Sequence, residues 1–252
     1  MILRLFRYIF LIVSMFFVLP AAAAIGLWVA DDNRPTSWNQ ANWQSAGILH
    51  SPDADSAAVI YLMAARTGRL KGALSVHSWL VYKREGERRY NRFEKVGWGS
   101  PLRHNAYAAD AKWYSNTPQI VASISGENAT KFIPKLEKAI ESYPFNKRGD
   151  YKILPGPNSN TFIAHVLNAV PELGWVLPSH AVGRDYRAAD NWIKLDPDYT
   201  NLQITAGGLF GLALGKRHGI EFQFLGLVSG FDFQNPGIKL PGFGTLALAN
   251  HS

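Results

Sequence analysis

His77 and Ser159 are the side chains whose surroundings best suit them to proton transfer and nucleophilic attack. His77 lies in Val76-His77-Ser78-Trp79, inside an apolar run with strand character. Ser159 lies in Pro155-Gly156-Pro157-Asn158-Ser159-Asn160-Thr161-Phe162, where a proline–glycine turn gives way to a helical pattern. A hydroxyl at a helix start meets unpaired backbone N–H groups and the positive end of the peptide dipoles, which stabilise an alkoxide or a developing oxyanion. A histidine on a neighbouring strand takes the hydroxyl proton when it comes within about 3 Å. The imidazole then needs an orienting group. Asn91 and Glu94 on the next strand are the candidates, and register decides between them. Asn158, Asn160, Thr161 and Trp79 are candidate binding residues, with the N–H groups of Asn160 and Thr161 as an oxyanion hole.

Each of these residues also has a plainer use. Asn, Ser and Thr are the common helix caps. A histidine on a half-buried strand is often a satisfied core group, and Glu94 suits a paired carboxylate. Trp79, Trp98 and Trp113 suit a core, since buried indole is the usual fate of tryptophan. His104 and Asp110 could join His77 around a metal, but no tight ligand spacing supports this, and neither metal nor cofactor is expected. The chain has no cysteine, which excludes disulfides, thiolate metal sites and a cysteine nucleophile.

The elements that must position these groups read as α+β. Strands are expected at Ala57–Ala65, Ala73–Lys83 and Arg89–Trp98, forming an antiparallel meander, with another at Ile120–Ser125. Arg34–Leu49, with Trp38 and Trp43, reads as an irregular arm. Apolar residues at helical spacing predict a helix over Glu127–Tyr143, which Pro134 should kink or divide. Tyr151–Leu154 looks extended, and Thr161–Val170 reads as a helix. The Gly-rich end suggests strands at Leu202–Leu214, Ile220–Phe233 and Ile238–Leu248, as a small β lobe or a cover for the main sheet. The expected division is 1–30, 31–200 and 201–252.

Residues 1–30 form an export or anchoring segment. Arg4 and Arg7 precede an apolar run, and Ala21–Ala24 offers small residues for cleavage. The run continues to Ala30, so residues 8–30 are also long enough to cross a bilayer core of roughly 20 helical residues. By the positive-inside rule Arg4 and Arg7 stay cytoplasmic. The expectation is an inner-membrane anchor carrying a periplasmic domain, or secretion to the periplasm. The net charge of +7 favours anionic lipid headgroups or an envelope polymer. No nucleic-acid motif is present.

The His-Ser-Trp at 77–79, Val-Gly-Trp-Gly at 96–99 and Pro-Gly-Pro-Asn-Ser-Asn-Thr-Phe at 155–162 resemble a bacterial family catalogued as a domain of unknown function, over most of Arg34 to Leu248. More distantly, a strand-borne His followed by a nucleophile after Asn at a helix start is similar to circularly permuted papain-like folds. These include the NlpC/P60 and lecithin–retinol acyltransferase-like groups. That resemblance implies a hydrolase or acyl/peptidyl transferase acting on a peptide or lipid of the cell envelope, with Ser159 where those families carry Cys. A serine needs a better placed base than a thiol does. The alternative is a non-catalytic envelope module that keeps the cleft for binding or uses its Gly-rich strands to meet a partner.

Overall fold

The computed structural model describes residues 1–35, 37–187, 192–196 and 198–248. The fold is α+β. A long apolar helix, α1 (Ile2–Ala30), opens the chain. Its regular hydrogen-bonding is interrupted by one π-helical turn at Ser14–Val18.

An antiparallel five-stranded sheet follows, with strands β1 (Val59–Arg66), β2 (Val76–Lys83), β3 (Asn91–Lys95), β4 (Leu102–His104) and β5 (Gln119–Ser125). Their order is β4-β3-β2-β1-β5. All eight residues of β2 are buried, because both faces of the sheet are covered. On one face, Leu62, Leu80 and Tyr82 pack against α2 (Glu127–Glu141) and α3 (Ser159–Ala169) through Leu136, Phe162 and Val166. On the other, Met63, Trp79 and Val81 meet Trp113 and the irregular arm through Trp43. Within that arm Trp38 and Trp43 lie with ring centroids 4.0 Å apart. Full burial of one such large side chain is worth about 1.5–3 kcal/mol, so the alternation of β2 between the two cores fixes which face each residue takes.

Pro134 does not divide α2. It sits on the exposed side, where water can serve the carbonyl that loses its N–H partner. Helix α3 begins at Ser159, two residues before the expected start, because Asn158 supplies the cap. Tyr151–Leu154 forms bends and no strand.

The Gly-rich end differs most from expectation. It is one seven-stranded antiparallel meander: β6 (Ile193–Leu195), β7 (Asn201–Ala206), β8 (Phe210–Gly215), β9 (Gly219–Phe224), β10 (Leu227–Asp232), β11 (Gly237–Leu240) and β12 (Gly244–Ala247). Each long strand read from the sequence is a hairpin. Leu202–Leu214 folds back at Gly207-Gly208 (φ +59° and +73°), and Ile220–Phe233 at Leu225-Gly226 (φ +51° and +76°). Two successive positive φ values are what a tight turn between right-twisted strands requires.

Candidate functional site

At the start of β2 the strand alternates between two environments. Ser78 faces α3 and donates its hydroxyl hydrogen to Asn160 Oδ1 at 2.6 Å. His77 points the other way, its ring stacked on Trp113 with centroids 3.6 Å apart and planes 3° from parallel. His77 Nε2 lies 2.7 Å from Glu94 Oε2. Arg92 Nη2 donates to the same oxygen at 2.9 Å, and its guanidinium lies 4.3 Å over the Trp79 ring. His77, Arg92 and Glu94 are all buried.

Burial lowers the His77 pKa, and the bond and charge of Glu94 only partly offset it. Burial works against the Glu94 carboxylate, but the bond from His77 and the field of Arg92 outweigh it, so its pKa is lowered. At neutral pH the pair is therefore a neutral imidazole donating Nε2–H to a carboxylate. That assignment leaves Nδ1 as the basic nitrogen. No hydrogen bond to Nδ1 is found among the described residues.

The opposite wall is the start of α3. Asn158 Oδ1 accepts the N–H groups of Asn160 at 2.9 Å and Thr161 at 3.1 Å, while the Asn158 N–H donates to Thr161 Oγ1. This reciprocal cap satisfies the orphan donors of the first turn. Asn158 Nδ2 also donates to the carbonyls of Ile153 and Val182, both at 3.0 Å. Asn160 Nδ2 ties Val76 O to Val182 O, at 2.9 Å each. Thr161 Oγ1 donates to Gly183 O at 2.7 Å. Asn158, Asn160 and Thr161 thus hold the helix start in place, and the N–H groups of Asn160 and Thr161 are taken by the cap, so neither is free for an oxyanion.

Ser159 is left over from capping. Burial raises the pKa of the neighbouring Tyr151 phenol, and the side chain and backbone of Ser159 hold the rise back. The Tyr151 ring lies over Gly97, where a Cβ would come within 2.9 Å of it. His77, Ser159, Tyr151 and Lys71 line one cavity of about 240 Å³, whose other walls include Leu74, Leu154 and Leu225. No hydrogen bond joins His77 to Ser159 among the described residues.

The remaining expected groups lie elsewhere. Asn91 contacts Glu87 and His104 and takes no part at His77. Trp79 is fully enclosed and donates Nε1–H to Ala109 O at 2.9 Å. His104 stacks on Phe93, and Asp110 holds the arm by accepting from Ser45 Oγ and Ile48 N. Tyr151, Arg92 and the stacking face of Trp113 escaped sequence reading. Only Tyr151 had a local signal, as an aromatic residue just before the turn that launches α3.

A family model described as a protein of unknown function, DUF3750, matches residues 57–186, just over half of the chain. The chain belongs to that family. The match includes β1–β5, α2, α3 and His77, Arg92, Glu94, Tyr151 and Ser159, and is shorter than the Arg34–Leu248 span suggested by the motifs. No curated protein and no solved structure matches the chain.

Proposed function

We propose that this DUF3750 protein is a membrane-anchored hydrolase or acyl/peptidyl transferase of the cell envelope, with Ser159 as nucleophile and His77 as general base. The reading is supported by one observation: His77, whose neutral imidazole is held by a buried carboxylate, lines the same cavity as Ser159 at the N-terminus of α3. Ser159 Oγ would attack the carbonyl of an amide or ester as its proton passes to His77 Nδ1. Return of that proton to the leaving amine or alcohol completes C–N or C–O cleavage and leaves an acyl-serine. Water, or a second amine or alcohol, then releases the acyl group. Glu94 fixes the imidazole and stabilises its cationic form. The Ser159 N–H and the Tyr151 phenol would serve as donors to the developing oxyanion. Leu74, Leu154 and Leu225 favour an acyl chain or apolar peptide over a sugar. The permuted papain-like likeness supports only the order of base and nucleophile, as an analogy.

A second reading is a binding module without chemistry. It is favoured by the lack of a His77–Ser159 hydrogen bond and by the orientation of His77 away from the α3 face of β2. A fluorophosphonate probe applied to the full chain in detergent separates the two. Covalent labelling that disappears in Ser159→Ala and slows about 10²–10⁴-fold in His77→Gln is expected. An unlabelled wild type, or labelling that persists in Ser159→Ala, overturns the proposal.

A further inference from the structure

The seven-stranded sheet has its polarity reversed relative to a sheet that covers a soluble core. Its inner face, toward the rest of the protein, is charged: Glu221, Lys239 and Arg184 are buried together there, with Lys239 Nζ 2.7 Å from Glu221 Oε1 and Arg184 bonded to Oε2. Its outer face is apolar. Register places Ile193, Ile204, Leu212, Phe222 and Ser229 in one row across β6–β10. Ile193, Ile204, Leu212 and Phe222 are all exposed. The flanking rows carry Leu195 and Leu214 on one side and Phe210 and Phe224 on the other. A soluble antiparallel sheet turns its polar residues outward, and an apolar surface of this extent marks an interaction site.

Helix α1 runs onto this same face. Phe17 is buried, with its ring 5.6 Å from that of Phe224. Ser229, the one polar member of the row, donates its hydroxyl hydrogen to the carbonyl of Phe16. Phe16 lies in the π-helical turn, where the i to i+4 ladder is broken. Further along, Ala24 packs at Gly242, and Trp28 Nε1 donates to Arg69 O at 2.9 Å. The stretch before the π-helical turn, Ile2–Val13, contains no buried residue. Its 12 residues span about 18 Å at 1.5 Å per residue, against a hydrocarbon core of about 30 Å. If α1 crosses a bilayer, the part of the sheet face that meets it at Phe17 must descend into the membrane with it.

We infer that the outer face of the seven-stranded sheet lies in the acyl-chain region of one phospholipid leaflet, with α1 as its continuation across the bilayer. Among the described residues β6 and β12 are the outermost strands, with backbone edges that hydrocarbon does not tolerate, so the sheet rests face-down in one leaflet and does not span. Continuity with α1 selects lipid over a second copy, since a flat dimer on this face would have to displace the helix. The inference is independent of any reaction at Ser159. It would, however, put Leu227, which lines the His77 cavity, at the lipid boundary.

The absence of cysteine makes the test direct. Leu212→Cys and Ile204→Cys, each in the full chain, carry a nitroxide label, with Arg148→Cys as a control on the exposed side of the main domain. The proteins are reconstituted into vesicles of phosphatidylcholine and phosphatidylglycerol. Labels at 204 and 212 should be relaxed by oxygen at least several-fold more than by a water-soluble nickel chelate, and the label at 148 should show the reverse. Nickel-dominated relaxation at 204 and 212 overturns the inference. So does protection from both relaxants, which would mean a protein surface covers the face.

Discussion

At the scale of single residues the decisive feature is a fully buried carboxylate. Glu94 receives both His77 and Arg92 on one oxygen. Removing its charge leaves Arg92 buried without a counter-ion, and breaking a buried pair in this way costs about 3–5 kcal/mol. Glu94→Gln is therefore expected to lower stability by about 3 kcal/mol in urea denaturation; a change below about 1 kcal/mol would show that the pair carries little. The same buried groups set a pH dependence. His77 has a lowered folded pKa, so below the unfolded value of about 6.5 the unfolded chain binds a proton that the folded chain refuses, and stability falls with pH. His180, lowered to about 4, acts in the same direction. Melting temperature should drop between pH 7 and 5, and His77→Gln should flatten that slope. An unchanged slope in His77→Gln would place the titration elsewhere. The sequence offered both Asn91 and Glu94 as orienting groups, and strand alternation chose Glu94, a matter of register that composition does not contain.

At the scale of elements, the start of α3 shows how a motif divides its labour. Three of the four polar residues after Pro157 are spent on architecture: Asn158 caps, Asn160 bridges to β2, and Thr161 ties down Gly183. Gly183 has φ +92°, and a Cβ there would meet Asn158 Nδ2 at 2.1 Å. Asn158→Ala removes the cap, worth about 1 kcal/mol, and strips a donor from the carbonyls of Ile153 and Val182. A loss of about 2–3 kcal/mol is expected, together with faster amide exchange over residues 159–163; exchange unchanged there would mean that packing alone holds the helix start. The helices and the central strands were legible because apolar spacing reports burial directly. The C-terminal hairpins were not, since both strand arms are apolar and only one or two glycines mark each turn. The two-sided burial of β2 was also hidden, because a strand packed on both faces loses its alternation.

At the scale of the whole molecule, two sheets and a helix are joined by a charged seam and an apolar surface. Burial opposes the Glu221 charge, but Arg184, His218 and Lys239 outweigh it, so its pKa is lowered. That stability is present above the unfolded carboxylate value of about 4.3 and lost as pH falls toward the lowered one. Glu221→Gln should loosen the seven-stranded sheet first, seen as faster exchange in β8–β11 with β1 and β2 unchanged; equal effects on both sheets would mean that the seam does not divide them. The apolar surface bears on the fate of α1. Cleavage after Ala24 would remove Phe17 from Phe224 and the Phe16 carbonyl from Ser229, exposing more of the apolar sheet face. Burying an aromatic ring such as Phe17 is worth about 1.5–3 kcal/mol, and retention keeps both contacts. The mature protein is therefore expected to keep α1. Mass spectrometry of the membrane fraction should recover peptides running unbroken through Ala24–Ile25, and a chain starting at Ile25 in the soluble fraction would show that the helix is a signal discarded after export.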